Sequence, residues 1–207
     1  NHSLMHELMK NASLMQVHIL NATGKYVERS VANWLEINFM GLSYPDSRIW
    51  CNQISAYAAD TNASAVAAVS AAILSTDSRA YGERIKNGKP IIVGFARPID
   101  KDDERLKPYA LMQKKLGIEV GLYLKFAQQV SEYLDQHYAL TINSGGYASA
   151  FLLDQGFTPD DGYNIKAYAV ASGAIACHRN LASSPPNSFL PLKCLDVQYT
   201  GKAIRRV

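Results

Sequence analysis

Two short segments carry the residues best suited to chemistry. The first is Gly94-Phe-Ala-Arg-Pro98 followed by Asp100-Lys-Asp-Asp-Glu-Arg105. Two arginines in one loop, Arg97 and Arg105, can hold a carboxylate or phosphate through paired charge-assisted hydrogen bonds. The same run also reads as a solvated stretch of charge. The second is Asn143-Ser-Gly-Gly-Tyr147 at an expected helix start. Free N–H groups there suit an anion or a thioester oxygen, and Asn143, Ser144, Gly145 and Gly146 are the residues that would face it. An ordinary helix cap is the alternative.

Other constellations fall away. No Gly-x-Ser-x-Gly elbow, phosphate-binding loop or dinucleotide fingerprint is present. Cys177 and His178 are adjacent, so on a helix they point about 100° apart and do not form a nucleophile–base pair. Cys177 reads as a structural thiol. His2 and His6 have the spacing to chelate a metal, but no third ligand is suggested, so no metal or resident cofactor is expected. Cys51, Cys177 and Cys194 lie far apart in sequence without metal-ligand spacing. They read as reduced thiols of a cytoplasmic protein, and the three Asn-x-Ser/Thr sequons as chance matches.

The elements that must position the two segments are helical. Leu4, Leu8, Met9, Met15 and Ile19 recur every three to four residues, as do Val27, Val31, Trp34, Leu35 and Ile37. Asn62 is placed to cap an Ala-rich helix over 63–75, whose small residues allow close helix approach and suggest a central position. Ile91-Ile92-Val93 is a candidate strand or buried entry. Pro108 suits the first turn of a helix ending before Gly117. Ile118, Leu122, Phe126, Val130 and Tyr133 form a further stripe. A helix after Asn143 closes at Gly156, and one long helix spans 163–181. No alternation of strands and helices points to a parallel sheet, so the expected class is all-α.

Composition sets the bounds. The chain has 207 residues, of which 48% are hydrophobic and 19% charged, so a packed core is expected rather than disorder. A net charge of +3 without a basic stripe argues against nucleic acid. The most apolar stretch, 65–74, is too short to span a bilayer, and no signal-peptide pattern opens the chain.

Several segments together resemble the citrate synthase family. Gly94-Phe-Ala-Arg-Pro98…Glu104-Arg105 is similar to that family's Gly-Phe-Gly-His-Pro…Asp-Pro-Arg. Asn143-Ser-Gly-Gly-Tyr-Ala-Ser-Ala150…Gly156-Phe157 is similar to its Asn-Val-Asp-Phe-Tyr-Ser-Gly…Leu-Gly segment. Ala167-Tyr-Ala-Val-Ala-Ser-Gly173…Ala176-Cys177 and Tyr199-Thr-Gly201 follow in the family's order. Upstream, Ser47-Arg-Ile-Trp-Cys-Asn52 and Asp77-Ser-Arg-Ala-Tyr-Gly82 resemble its diverged and citryl-CoA-lyase-like members. The resemblance implies an all-α homodimer with a large and a small domain. It also implies acyltransferase or lyase chemistry on a CoA thioester and a di-acid, with CoA thioester as substrate rather than cofactor. The segments would divide as 1–90, large-domain helices; 91–185, small-domain-like helices and site loops; and 186–207, a tail returning to the large domain.

The family's catalytic equipment is incomplete. Its base falls on Gly145, its polarising His on Arg97, and a further Arg and His on Val170 and Cys177. A His-Gly-Gly segment expected near Gly82–Glu83 is absent. Loss of a general base alone costs about 10²–10⁴-fold. The sequence therefore leaves two expectations: a binder of a CoA thioester or di-acid with altered or lost condensation, or a non-catalytic dimeric scaffold or ligand sensor. The assembly expectation rests on Trp34, Trp50 and the Ala-rich helix as apolar surface.

Overall fold

A computed structural model describes residues 2–76, 92–96 and 102–185, together with the backbone of 85–86 and 89–90. The described residues are predominantly helical, as the stripes require. A π-helical turn, Leu4–Leu8, leads into α1 (Met9–Asn11), α2 (Leu14–Thr23), α3 (Arg29–Leu42), α4 (Trp50–Asp60) and α5 (Ala65–Thr76). A two-residue hairpin, β1 (Ile85–Lys86) and β2 (Lys89–Pro90), pairs antiparallel. Then come α6 (Leu106–Lys115), α7 (Leu122–Tyr138), α8 (Ser144–Asp154), α9 (Pro159–Lys166) and α10 (Ala171–Ala182). No helix among the described residues is long and apolar enough to cross a membrane.

The helices group into two compact units, Asn1–Tyr44 with Asp77–Val170, and Pro45–Thr76 with Ala171–Val207. The boundaries expected from sequence, at 90 and 185, cut the chain elsewhere. The helix expected over 163–181 is two helices, because a series of turns over 167–170 ends one unit and the next unit begins at Ala171.

In the first unit the core is aromatic. Trp34 is fully enclosed, stacked on Phe151 at 3.6 Å between centroids, with Tyr109 and Tyr147 alongside. Its Nε1–H donates to the Tyr109 carbonyl at 3.1 Å, so the indole's polar group is satisfied inside the core. This corrects the expectation that Trp34 forms assembly surface. Capping boxes start α2 at Ser13/Gln16 and α9 at Thr158/Asp161, matching local sequence to helix start. Asp154, on the last turn of α8, accepts from the Tyr123 and Leu124 N–H groups at 2.8 and 3.1 Å and thereby caps α7 from another helix.

The α7 stripe is placed differently from expectation. Leu124 and Leu134 are its buried positions, whereas Leu122, Phe126 and Tyr133 are exposed. Ile118, before the helix, does pack on the core. The helix ends at Ala139, which takes the left-handed conformation with φ 53° at the cap position glycine ordinarily fills. Relief of that strain exceeds glycine's extra unfolded entropy, so Ala139→Gly should raise stability by up to about 1 kcal/mol. Urea denaturation followed by circular dichroism checks this; a loss of stability would contradict it.

In the second unit α4, α5 and α10 pack on one another through small residues: Ala56, Ala59, Ala68, Ala72 and Ala174 are all buried. The Ser55 hydroxyl donates to the Ala174 carbonyl at 2.8 Å, and His178 Nε2 lies 2.9 Å from the Ala63 carbonyl. Cys51 and Cys177 are buried free thiols, and burial pushes both up from the usual thiol range. Ser64, not Asn62, starts α5, accepting from the Ala67 N–H at 3.2 Å. Only Ala68 and Ala72 of α5 are buried, so the helix lies at one side of its unit rather than at the centre.

Candidate functional site

The two segments singled out by sequence do meet, within the first unit. Gly94, Phe95 and Ala96 run against the entry to α8. Phe95 bridges Ile142, the Ala96 N–H donates to the Thr141 carbonyl at 2.7 Å, and the Asn143 N–H donates to the Gly94 carbonyl at 2.9 Å. The approach is close enough to demand glycine on both sides. A Cβ on Gly94 would lie 2.8 Å from the Gly146 Cα, and Gly94 has φ +91°. Ala96 is also left-handed, φ 71°, held between Thr141 and the Asn143 side chain. Of Ile91-Ile92-Val93, expected as a strand or buried entry, Ile91 lies outside the described residues, and Ile92 and Val93 are exposed, with Val93 in a turn.

Asn143 is the N-cap of α8. Its Oδ1 accepts from the Gly145 and Gly146 N–H groups at 2.9 and 3.1 Å, and its Nδ2 donates to the Ala96 carbonyl at 2.8 Å. The remaining N–H of that first turn, on Ser144, donates to Asp103 Oδ2 at 2.7 Å. A carboxylate therefore already stands at the start of α8, and it comes from the chain itself.

That carboxylate is shared with Arg105. Nε and Nη2 donate to Asp103 Oδ1 and Oδ2, both at 2.7 Å, in a bidentate fork, and Nη1 donates to the Gly41 carbonyl at 3.3 Å. The Asp103 side chain is wholly enclosed, while Arg105 is one quarter exposed. Burial by itself would push the Asp103 carboxyl up. The Arg105 guanidinium and the Ser144 N–H outweigh it and hold the carboxyl below the usual carboxylate range. The charge run is thus not uniformly solvated: Asp102 and Glu104 are exposed and Asp103 is core. Four acidic residues crowd 100–104, and nothing local distinguishes the one that folds inward.

Arg97 lies outside the described residues. Gly145, where the resembled family has its base, offers only backbone, and its N–H is committed to Asn143. Among the described residues, the Asp103 carboxylate beside Ser144 is held by Arg105, and Asp154 is engaged at the start of α7. Tyr147 is buried, donates to Gln113 Oε1 at 2.9 Å, and burial pushes its phenol up to about 12, so it stays neutral at ordinary pH.

Two participants escaped sequence reasoning. Gly41 lies in the last turn of α3 and supplies the carbonyl that steadies Arg105. Asn38 is fully buried on the same helix, its carbonyl accepts from the Tyr109 hydroxyl at 3.3 Å, and its side-chain amide makes no hydrogen bond among the described residues. Its position three to four residues beyond Trp34 and Leu35, on their stripe, was the available signal. His2 pairs with Glu7 at 2.8 Å on the surface, and no cluster of three or more metal-ligating side chains occurs among the described residues.

No protein-family model matches the sequence, and no curated protein matches it. Among solved structures the chain is similar to citryl-CoA lyase from Hydrogenobacter thermophilus, with a TM-score of 0.77 at 20% sequence identity, over 100% of this chain and 90% of that one. At that identity the likeness establishes architecture: this chain has the all-α, citrate-synthase-like fold that its ordered segments resemble.

Proposed function

We propose that the protein binds a small anionic ligand, a CoA thioester or a di-acid, at the start of α8 beside Arg105. One observation carries this reading. The Arg105 fork and the first turn of α8 converge on a single carboxylate, so the place is built to hold one. The structural likeness to a citryl-CoA lyase supports this ligand class. Arg97 enters on its sequence position beside the site, and Asn143, Ser144, Gly145 and Gly146 form the turn that faces the ligand. Condensation by a base at Gly145 is absent from this reading, because glycine has no group to take a proton.

Calorimetric titration with CoA, acetyl-CoA, oxaloacetate and citrate tests it. Binding of at least one is expected. Arg105→Ala should weaken it by about 1.5–3 kcal/mol, the scale of a charged hydrogen bond, or roughly ten- to a hundred-fold. Unchanged affinity would place the ligand elsewhere, and formation of citrate from acetyl-CoA and oxaloacetate would refute the lost base.

A second reading, a homodimeric scaffold in the cytoplasm, draws on α5. Val66 is 78% and Leu74 75% exposed on this apolar helix, and Trp50 of the same unit is half exposed. Such side chains favour a covering partner, here a second copy. Light scattering should then give a dimer mass, and Leu74→Glu should shift it toward monomer. A monomeric wild type at micromolar concentration removes this reading and leaves the ligand proposal standing.

A further inference from the structure

The outer face of α7 is apolar where a helix facing water is ordinarily polar. Leu122 is 81%, Phe126 65% and Tyr133 56% exposed, while Leu124 and Leu134 are the buried positions of the same helix. With Gln129 between them, the three exposed side chains recur at spacings of four, three and four residues. That is the seam of a two-helix coiled coil rather than a scatter of single apolar side chains. The far end of the seam is already ordered. The His137 ring stacks on Tyr133 at 4.2 Å between centroids and 21° between planes, and its Nδ1 lies 3.0 Å from the Tyr133 carbonyl. A ring pair held in place beforehand loses little side-chain freedom when another surface covers it.

Charge along one edge of the seam selects that surface. Lys125 and Glu132 are both exposed and lie seven residues apart, so they project from the same edge, two turns from one another. The complement of such an edge is the same edge turned end for end. In an antiparallel pair like edges meet, so Lys125 comes opposite Glu132 of a second copy, and Glu132 opposite its Lys125. A parallel pair would set Lys125 toward Val130 instead, with no carboxylate to receive it.

We propose that α7 is a self-association surface, on which α7 of a second copy of this chain lies antiparallel about a two-fold axis beside Gln129. In that register Phe126 packs between Gln129 and Tyr133 of the second copy, and Leu122 covers its Tyr133–His137 pair. The two Gln129 amides meet across the axis, where a polar pair fixes register. The contact is isologous and closes with two copies. It lies in a different unit from the α5 face considered above, and it does not rest on the ligand reading. One pair of 17-residue helices falls short of the area, about 1,200–2,000 Å², that a stable interface buries, so the association is reversible and concentration-dependent.

Sedimentation equilibrium of the full chain carrying Leu74→Glu, which takes the α5 face out of play, tests this from micromolar to millimolar concentration. A monomer–dimer equilibrium is expected. Phe126→Glu should abolish it. Lys125→Glu should weaken it about tenfold, since two pairs per dimer are lost and become repulsive. Adding Glu132→Lys to Lys125→Glu should restore it, because the exchanged charges meet again in the antiparallel pair. All of these side chains are exposed, so the circular dichroism spectrum should not change. A protein that stays monomeric throughout overturns the proposal and leaves α7 to another segment of the chain or to a different protein. A dimer indifferent to Phe126→Glu or to Lys125→Glu, or one that the charge exchange fails to rescue, overturns it equally.

Discussion

Asp103→Ala should destabilise the unit formed by residues 1–44 and 77–170 by about 3–5 kcal/mol, the usual result of removing one partner from a buried ion pair. The loss has three parts. The Arg105 guanidinium, three-quarters buried, loses the bidentate acceptor that balances its charge. The Ser144 N–H at the start of α8 loses its only described acceptor. The loop at 103 loses its tie to α8, and with it part of what fixes Arg105 against the Gly41 carbonyl of α3. Urea denaturation followed by circular dichroism measures the effect. A loss below about 1 kcal/mol would show that the pair behaves like an exposed surface bridge.

The same contact has a pH signature. The folded Asp103 carboxyl lies below its ordinary value because Arg105 and Ser144 outweigh the penalty of burial. An unfolded aspartate titrates at about 3.9. The unfolded chain therefore binds the proton first as pH falls. The contribution to stability is complete above that value and disappears as pH drops through the lower folded one. Wild type should show this acid-dependent loss and Asp103→Ala should lack it.

Trp34→Ala is the second large effect, about 3–5 kcal/mol by cavity formation. The indole is fully enclosed, stacks on Phe151 at 3.6 Å and sits between Tyr109 and Tyr147. These rings come from α3, α6 and α8, so the side chain joins the three helices that also supply Gly41, Arg105 and Asn143–Gly146. Loosening it should loosen the site. Trp34→Phe retains a ring but leaves the Tyr109 carbonyl without the Nε1–H donor, and should cost less, about 1–3 kcal/mol. Denaturation midpoints for the two variants give the order. Equal losses would mean that the indole's bulk beyond a phenyl ring and its hydrogen bond carry the whole effect.

Local pattern determined the helical class and several boundaries. The spacing of Met15 and Ile19, and of Val31, Trp34 and Leu35, placed those residues in the core, where they lie. Gly117 and Gly156 follow helices with left-handed backbone, as expected of stops. The ordered segments from Gly94 to Gly173 resembled one family closely enough to indicate the fold. These features are legible because helix periodicity and capping depend on residues within a few positions of one another.

Whatever depends on a distant partner had to wait for tertiary structure. The α7 stripe of Leu122, Phe126 and Tyr133 has the right period for a core face, yet packing selected Leu124 and Leu134, because periodicity gives a stripe without saying which neighbour it meets. Asp154, two helical turns beyond Gly145, caps another helix, a role that its own neighbours in sequence do not announce. Asn143-Ser-Gly-Gly146 was legible as a helix start, and Arg105 as a carboxylate-binding group. That both bind the same carboxylate, and that it belongs to Asp103, was decided by the fold. Ser144 lies 41 residues beyond Asp103 in sequence, and only the packing of the 103–105 loop against α8 brings an acid indistinguishable from its neighbours into a place where burial, a guanidinium and a helix N-terminus act on it together.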